Sequence, residues 1–208
     1  MGRRVKPAGR RSEQAAASRE RILDAAVELF AESGYDGTPT ARIAERAEIP
    51  KGLVFHYFPT KRDVLVAVVA ERSRIDELRS LPIEPVAGDV AQTLLRLADR
   101  FLNNAQLSPA LRRIVFREAS THPEVRRRLT QLHAEALRRV RRAIDAALEG
   151  TRVRPPSQPQ RDAAAAAFTS ALLHDLHLHQ LTGHAIDLRG IAALIARGLQ
   201  APALAVTG

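Results

Sequence analysis

The sequence predicts an all-α fold built from nine helical segments. Apolar residues recur at three- and four-residue intervals along most of the chain, and this spacing places them on one face of an α-helix. The breaks between segments carry proline, glycine or a polar capping residue. No stretch shows the alternation of apolar and polar residues that is typical of a strand.

The chain opens with a basic segment, and the first helix follows it. Residues 1–17 carry five arginine or lysine side chains and little apolar material, so they are predicted to form a disordered basic arm. From Ile22 to Phe30 the apolar residues follow the spacing of an amphipathic helix. Gly34 is a typical end for this helix.

Two short helices come next, and a fourth helix starts close behind them. Thr38 offers an N-cap hydroxyl to helix 2. Pro50 is tolerated at a helix start and begins helix 3. Thr60 and Asp63 have the spacing of a capping box, which predicts the start of helix 4.

The rest of the chain reads as five further helices behind a proline-containing linker. Helix breaks are predicted at 108–109, 122–123, 150–159 and 183. The predicted organisation is a basic arm (1–17), an N-terminal domain with helix 4 (18–78), a second helical domain (79–202) and a tail (203–208).

The composition narrows the class of protein. The formal net charge of +9 is typical of a chain that binds a polyanion, although an arginine-rich composition alone would also produce it. With no cysteine, disulfides and thiolate metal sites are excluded. No apolar run approaches the roughly 20 residues of a membrane helix. We therefore expect a soluble cytoplasmic protein without a membrane segment.

The pattern between about Thr38 and Phe58 is that of a helix-turn-helix. Two short helices joined by a tight turn, behind a longer helix, can lay the second helix into the major groove of double-stranded DNA. On helix 3 the candidate contacts are Lys51, Val54 and His56. Gly52 has no side chain there, so the backbone can approach a phosphate closely.

The residues themselves are recognisable at this point. The stretch ILDAAVELFAESGYDGTPTARIAERAEIPKGLVFHYFPTKRDVL closely resembles the DNA-binding domain of the TetR family of transcription regulators. The resemblance implies a nine-helix homodimer whose first three helices bind operator DNA and whose helices 5 to 9 enclose a cavity for a small-molecule effector. It also places six residues at positions that contact DNA in such regulators: Thr38, Thr40, Lys51, His56, Tyr57 and Lys61.

Three residues depart from the family pattern. Phe55 stands where the family usually has a tyrosine whose hydroxyl holds a phosphate. Glu48 occupies a turn position that is usually glycine, and it brings an acidic side chain toward the DNA. Pro50 replaces the usual serine and removes an N-cap hydroxyl.

The second domain is predicted to hold the effector and the dimer interface. Apolar stripes on helix 8 (Phe168, Leu172) and helix 9 (Ile191, Leu194) predict a homodimer held by these two helices. The predicted cavity lining is Phe101, Asn104, Ile114, His133, Leu137, Phe168, Thr169 and Leu172. The predicted function is a regulator, most simply a repressor, that an effector releases from its operator.

One cluster raises an enzymatic alternative. The His174–Asp175 doublet resembles that of metal-dependent phosphohydrolases, with His122 or His133 upstream and Asp187 downstream as further ligands. On one helix, however, His174 and His177 lie about 60° apart while His179 is about 140° to 160° from both, so the three cannot face one ion. The chain has no cysteine, nucleophile elbow or phosphate-binding glycine loop either, so we expect no catalytic site, metal or cofactor.

Overall fold

The computed structural model describes residues 8–73, 80–104, 108–150 and 155–200, without the side chains of residues 8–11, 104 and 177–182. Within these residues all regular structure is helical, as predicted. The nine helices of this part are α1 (Ala8–Ser33), α2 (Thr40–Arg46), α3 (Lys51–Tyr57), α4 (Lys61–Arg72), α5 (Val90–Asn104), α6 (Pro109–Glu118), α7 (Pro123–Leu148), α8 (Gln158–Thr182) and α9 (Leu188–Gln200). None of them combines the length and apolar character needed to span a bilayer.

The chain forms two compact units whose boundary differs from the predicted one. Of the described residues, the first unit contains 8–73 and 108–128, and the second contains 80–104, 129–150 and 155–200. Helix α6 and the first turn of α7 therefore group with the N-terminal helices, although the sequence pattern placed them in the second domain. The reason is packing, because α6 lies against α1 and α4.

Helix α1 starts well before the predicted position. It begins at Ala8, so the prediction of a disordered arm is wrong for residues 8–17, and residues 1–7 lie outside the described part. Alanine, glutamate, glutamine and arginine dominate this segment, and all are strong helix formers. Adding residues to an existing helix avoids the unfavourable nucleation step, so α1 extends without an apolar face to bury.

Thr38 does not cap α2, contrary to the prediction. The N-cap is Pro39, which has no side-chain hydrogen bond to offer. The Thr38 hydroxyl is fully buried and donates to the carbonyls of Leu29 (3.1 Å) and Gly34 (2.7 Å). It therefore satisfies carbonyl groups at the C-terminal end of α1, where intrahelical donors run out.

Other predicted helix ends are confirmed. Gly34 follows α1 with a φ of 76°, the left-handed conformation that glycine adopts without strain. At α4, Thr60 and Asp63 form the reciprocal capping box, in which the Asp63 carboxylate accepts from the Thr60 amide at 2.9 Å. At α6, Ser108 caps the helix by accepting from the Leu111 amide at 3.1 Å.

Each unit has its own apolar core. In the first unit α1 packs against α2, α4 and α6, and α2 packs against α3. Its fully buried large side chains are Ile22, Leu23, Leu29, Phe30, Ile43, Leu65, Leu111 and Ile114. In the second unit α9 packs against α5 and α8, around a core that includes Leu94, Phe101, Val140, Ile144, Phe168 and Leu172.

Candidate nucleic-acid interface

The turn between α2 and α3 has a backbone conformation that explains the family's preference for glycine there. Glu48 has a φ of 53°, which lies in the left-handed region that residues other than glycine rarely adopt. The turn is held by hydrogen bonds from the Glu48 amide to the Glu45 carbonyl and from the Ile49 amide to the Ala44 carbonyl, each of 3.0 Å. The chain therefore makes the helix-turn-helix turn despite the unfavourable residue.

Helix α3 is anchored from its inner side. Val54 is fully buried and Phe58 nearly so, and both belong to the core of the first unit. The Arg19 guanidinium of α1 lies 5.1 Å from the centroid of the Phe58 ring, within cation–π range. Because the inner side of α3 is fixed in the core, its outer side is held in one orientation.

The outer side of α3 is an exposed strip of Lys51, Gly52, Phe55 and His56, here called the α3 face. A Cβ added at Gly52 would meet nothing within 4 Å, and this glycine has no positive φ. Neither packing nor backbone geometry therefore requires glycine at this position. The missing side chain leaves room for a molecule that approaches from outside.

The predicted contact by Val54 is wrong. Its side chain is fully buried, so it cannot reach a base edge. Thr38 is equally unable to offer its hydroxyl to DNA, because that group is buried and donates to two carbonyls within the protein. For Val54 the signal that separates it from Lys51 and His56 is helical phase, whereas Thr38 precedes α2 and is buried by its contacts with the end of α1. Val54 lies on the side of α3 that carries Phe58.

The other predicted contacts flank the α3 face. Thr40 is half-buried at the start of α2, and Tyr57 is half-buried with its ring edge-on to that of His56, 5.3 Å between centroids. The Lys61 ammonium donates to the Tyr35 carbonyl at 2.8 Å, and it lies 4.2 Å from the centroid of the Tyr35 ring. Lys61 thus ties α4 to the loop after α1.

Two exposed residues on these helices were not among the predicted contacts. Arg42 is exposed on α2, and no ion pair of its guanidinium is found in the described part of the chain. Phe55 is 43% exposed on the α3 face. The sequence contains a signal for Phe55, because this residue lies one helical turn after Lys51 and therefore on the same face of α3.

A polar cluster fastens the loop after α1 to the end of α6. The buried Glu118 carboxylate accepts from the Tyr35 amide at 3.1 Å and lies 3.2 Å from His122 Nδ1. The Tyr35 and His122 rings are edge-to-face, with centroids 4.4 Å apart. Burial raises the pKa of the Tyr35 phenol. These contacts keep the helix-turn-helix attached to α6 within the first unit.

The predicted effector-binding residues do not all lie together. Phe101, Phe168 and Leu172 are buried in the core of the second unit, and Leu137 packs against it. Thr169 is also fully buried, and its hydroxyl has no hydrogen-bond partner among the described residues.

Three other predicted lining residues do not belong to this core as described. The prediction that Ile114 lines the cavity is wrong, because α6 places this residue in the core of the first unit. The same prediction is wrong for His133, because this residue lies on the exposed side of α7 beside the buried Leu132. The side chain of Asn104 lies outside the described residues.

Two members of the histidine-containing cluster, His174 and Asp175, have described side chains. His174 is exposed on α8, and a carboxylate oxygen of Asp175 accepts from the Ile186 amide at 3.2 Å, which holds the loop before α9. Asp187 in turn accepts from the Gly190 amide at 2.8 Å. No group of three potential metal ligands occurs among the described residues, which exclude the side chains of His177 and His179.

Comparison with known proteins identifies the N-terminal segment. Residues 22–68 match the family described as bacterial regulatory proteins, tetR family. This stretch of the chain is therefore similar to the DNA-binding segment of tetR-family regulators. This segment contains α2, α3 and the α3 face, so the family match falls on the structure that holds the candidate interface.

Curated TetR-type relatives are similar over part of their length. The chain is 30% identical over 112 residues to the uncharacterized HTH-type transcriptional regulator YvkB of Bacillus subtilis, covering 54% of this chain and 58% of that protein. It is 37% identical over 67 residues to the regulator RutR of Escherichia coli K12, covering 32% of each. It is 35% identical over 114 residues to the repressor KstR of Mycobacterium tuberculosis, covering 51% of each.

Solved structures share the fold over most of the chain. GusR of Salmonella enterica has a TM-score of 0.59 at 23% identity, covering 88% of this chain and 96% of its own. NemR of E. coli has a TM-score of 0.61 at 18% identity, covering 89% and 100%. FadR of B. subtilis, solved in complex with stearoyl-CoA, has a TM-score of 0.55 at 18% identity, covering 87% and 97%.

Proposed function

We propose that this chain is a DNA-binding transcription regulator that inserts α3 into the major groove of an operator. The observation that carries the proposal is the α3 face, where Lys51 and His56 project from a helix that Val54 and Phe58 fix from behind. The groove is about 12 Å wide and admits one helix, whose outer side chains reach base edges. The repressor KstR is a relative, so we propose repression as the mode of regulation.

We propose that a small apolar molecule binds in the second unit and lowers the affinity for DNA. The supporting features are the apolar surroundings of Phe101, Phe168 and Leu172 and the unpartnered hydroxyl of Thr169. An apolar pocket with a few polar groups is typical of ligand sites. The FadR structure with stearoyl-CoA is an example of such a ligand in a protein of this fold.

We propose a homodimer that α8 and α9 hold together. Leu194 on α9 is 63% exposed, which is unusual for a leucine on a helix that packs against two others. A two-fold dimer would cover it and would present two copies of α3 about 34–36 Å apart, one turn of DNA. Leu194→Glu should then give monomers in light scattering. A wild-type protein that is monomeric at micromolar concentration would contradict the proposal.

We propose no catalytic activity. The Asp175 carboxylate serves the loop before α9, and the relatives named above are transcription regulators. A regulator acts where its DNA lies, and we therefore propose the cytoplasm as its location.

The experiment is a gel shift with the full chain and the DNA upstream of its own gene. Lys51→Ala should weaken binding and reduce the salt dependence, because each phosphate contact contributes about 0.9 to the slope of log K against the logarithm of the salt concentration. Arg113→Ala is the matched control, because it removes one positive charge from an exposed position on α6. Equal losses in both variants would mean that general charge, and not the α3 face, binds the DNA.

A further inference from the structure

The α3 face carries one large apolar side chain among its polar ones. Phe55 is 43% exposed, and its neighbours on this face are Lys51, Gly52 and His56. Burying a phenylalanine side chain stabilises a folded protein roughly in proportion to the apolar area that is removed from water. Phe55 leaves part of its ring in contact with water in the isolated chain, and a bound molecule could cover that part.

The approach to the Phe55 ring is open on one side. Gly52 precedes it by three residues, and residues three apart are neighbours on a helix surface. No atom lies within 4 Å of the place where a Gly52 Cβ would be. A group from another molecule can therefore come close to the backbone at Gly52 and contact the ring at the same time.

The chemistry of the ring determines which group of DNA it can contact. Phenylalanine has no hydrogen-bond donor, so it cannot hold a phosphate as the tyrosine usual at this position does. In the major groove the base edges present donors and acceptors, and the distinctive apolar group is the 5-methyl of thymine. We propose that Phe55 contacts a thymine methyl in each half-site and so determines sequence preference; this rests on the proposed entry of α3 into the major groove.

The contribution of one methyl can be removed without changing the protein. Deoxyuridine differs from thymidine by that methyl alone. Burial of one such carbon corresponds to about a fourfold change in affinity, and two independent half-sites would give about sixteenfold. The readout is therefore large enough for fluorescence anisotropy titrations.

The experiment begins with selection of a preferred duplex from a random library by the full chain. Each thymine of the selected duplex is then replaced by deoxyuridine, one symmetric pair at a time. Wild type and the control Phe116→Ala, an exposed phenylalanine on α6, should lose about sixteenfold in affinity at one thymine pair. Phe55→Ala should bind the thymine and deoxyuridine duplexes with equal affinity at that pair. Phe55→Leu should show a smaller decrease in affinity than wild type.

The possible results separate the inference from the proposed function. If a preferred duplex is bound but no thymine methyl matters to wild type, or Phe55→Ala shows the same loss as wild type, the inference is wrong and DNA reading by α3 can still hold. If selection gives no preferred duplex, the proposed function and the inference both fail. The wild-type series alone is informative, so the test survives poor folding of any variant, which circular dichroism would reveal.

Discussion

Replacing Glu48 by glycine should stabilise the protein. A residue with a Cβ in the left-handed region costs about 1–2 kcal/mol, and Glu48 has a φ of 53°. Glycine removes that cost but loses about 0.5–1 kcal/mol more conformational entropy on folding than a residue with a Cβ. The midpoints of these two ranges differ by about 0.75 kcal/mol, which is the expected gain in the free energy of unfolding. For a chain of this size the melting temperature should rise by about 1–4 °C.

Glu48→Gln is the matched control, because it removes the charge and keeps the Cβ. Both variants should bind operator DNA more tightly than wild type, by no more than about fivefold, since two unit charges 4 Å apart in water interact by about 1 kcal/mol. Only the glycine variant should melt higher in calorimetry. Equal melting temperatures for the two variants would refute the argument from backbone conformation.

Three further changes test contacts inside the two units. Glu71→Gln removes the carboxylate that forms a bidentate pair with Arg19, at a cost below about 1 kcal/mol because both side chains are partly exposed. The hydrogen bond from Arg19 lowers the pKa of Glu71 from its ordinary value of 4.5. The wild type should therefore be more stable than the variant by the full amount above pH 4.5, and this difference should vanish as the pH falls through the lower pKa of the folded state. A difference in urea unfolding that persists in acid would contradict this. Thr169→Val keeps the shape and removes a buried hydroxyl without a partner, so it should raise the free energy of unfolding by about 1–3 kcal/mol, and a less stable variant would show that the hydroxyl is satisfied. Glu118→Ala leaves the Tyr35 amide without its acceptor and should destabilise by about 1–3 kcal/mol, against no change for the exposed control Arg113→Ala.

The parts of the fold that could be predicted are those set by local chemistry. The capping box of Thr60 and Asp63, the glycine after α1 and the serine cap of α6 involve residues three or four positions apart, so the sequence displays them directly. The helix-turn-helix was also predictable, because its residues have both the spacing and the identity of a known domain.

The wrong predictions concern residues whose surroundings are formed by parts of the chain that are distant in sequence. Thr38 has the identity of an N-cap, but its hydroxyl donates to carbonyls of α1 that only the folded chain brings near. Ile114 is apolar like a cavity wall, yet α6 packs in the first unit. Val54 and His56 are two positions apart on α3, and helical phase buries one and exposes the other. Spacing within one helix gives the phase, but not which face the rest of the protein covers.

The scarcity of lysine has a practical consequence. The sequence holds three lysines, Lys6, Lys51 and Lys61. Lys51 projects from the α3 face, whereas the Lys61 amine donates to the Tyr35 carbonyl. A brief pulse of an amine-acylating reagent, read by mass spectrometry, would therefore report on α3 in the unmodified protein. Operator DNA should slow acylation at Lys51 relative to the same reaction without DNA.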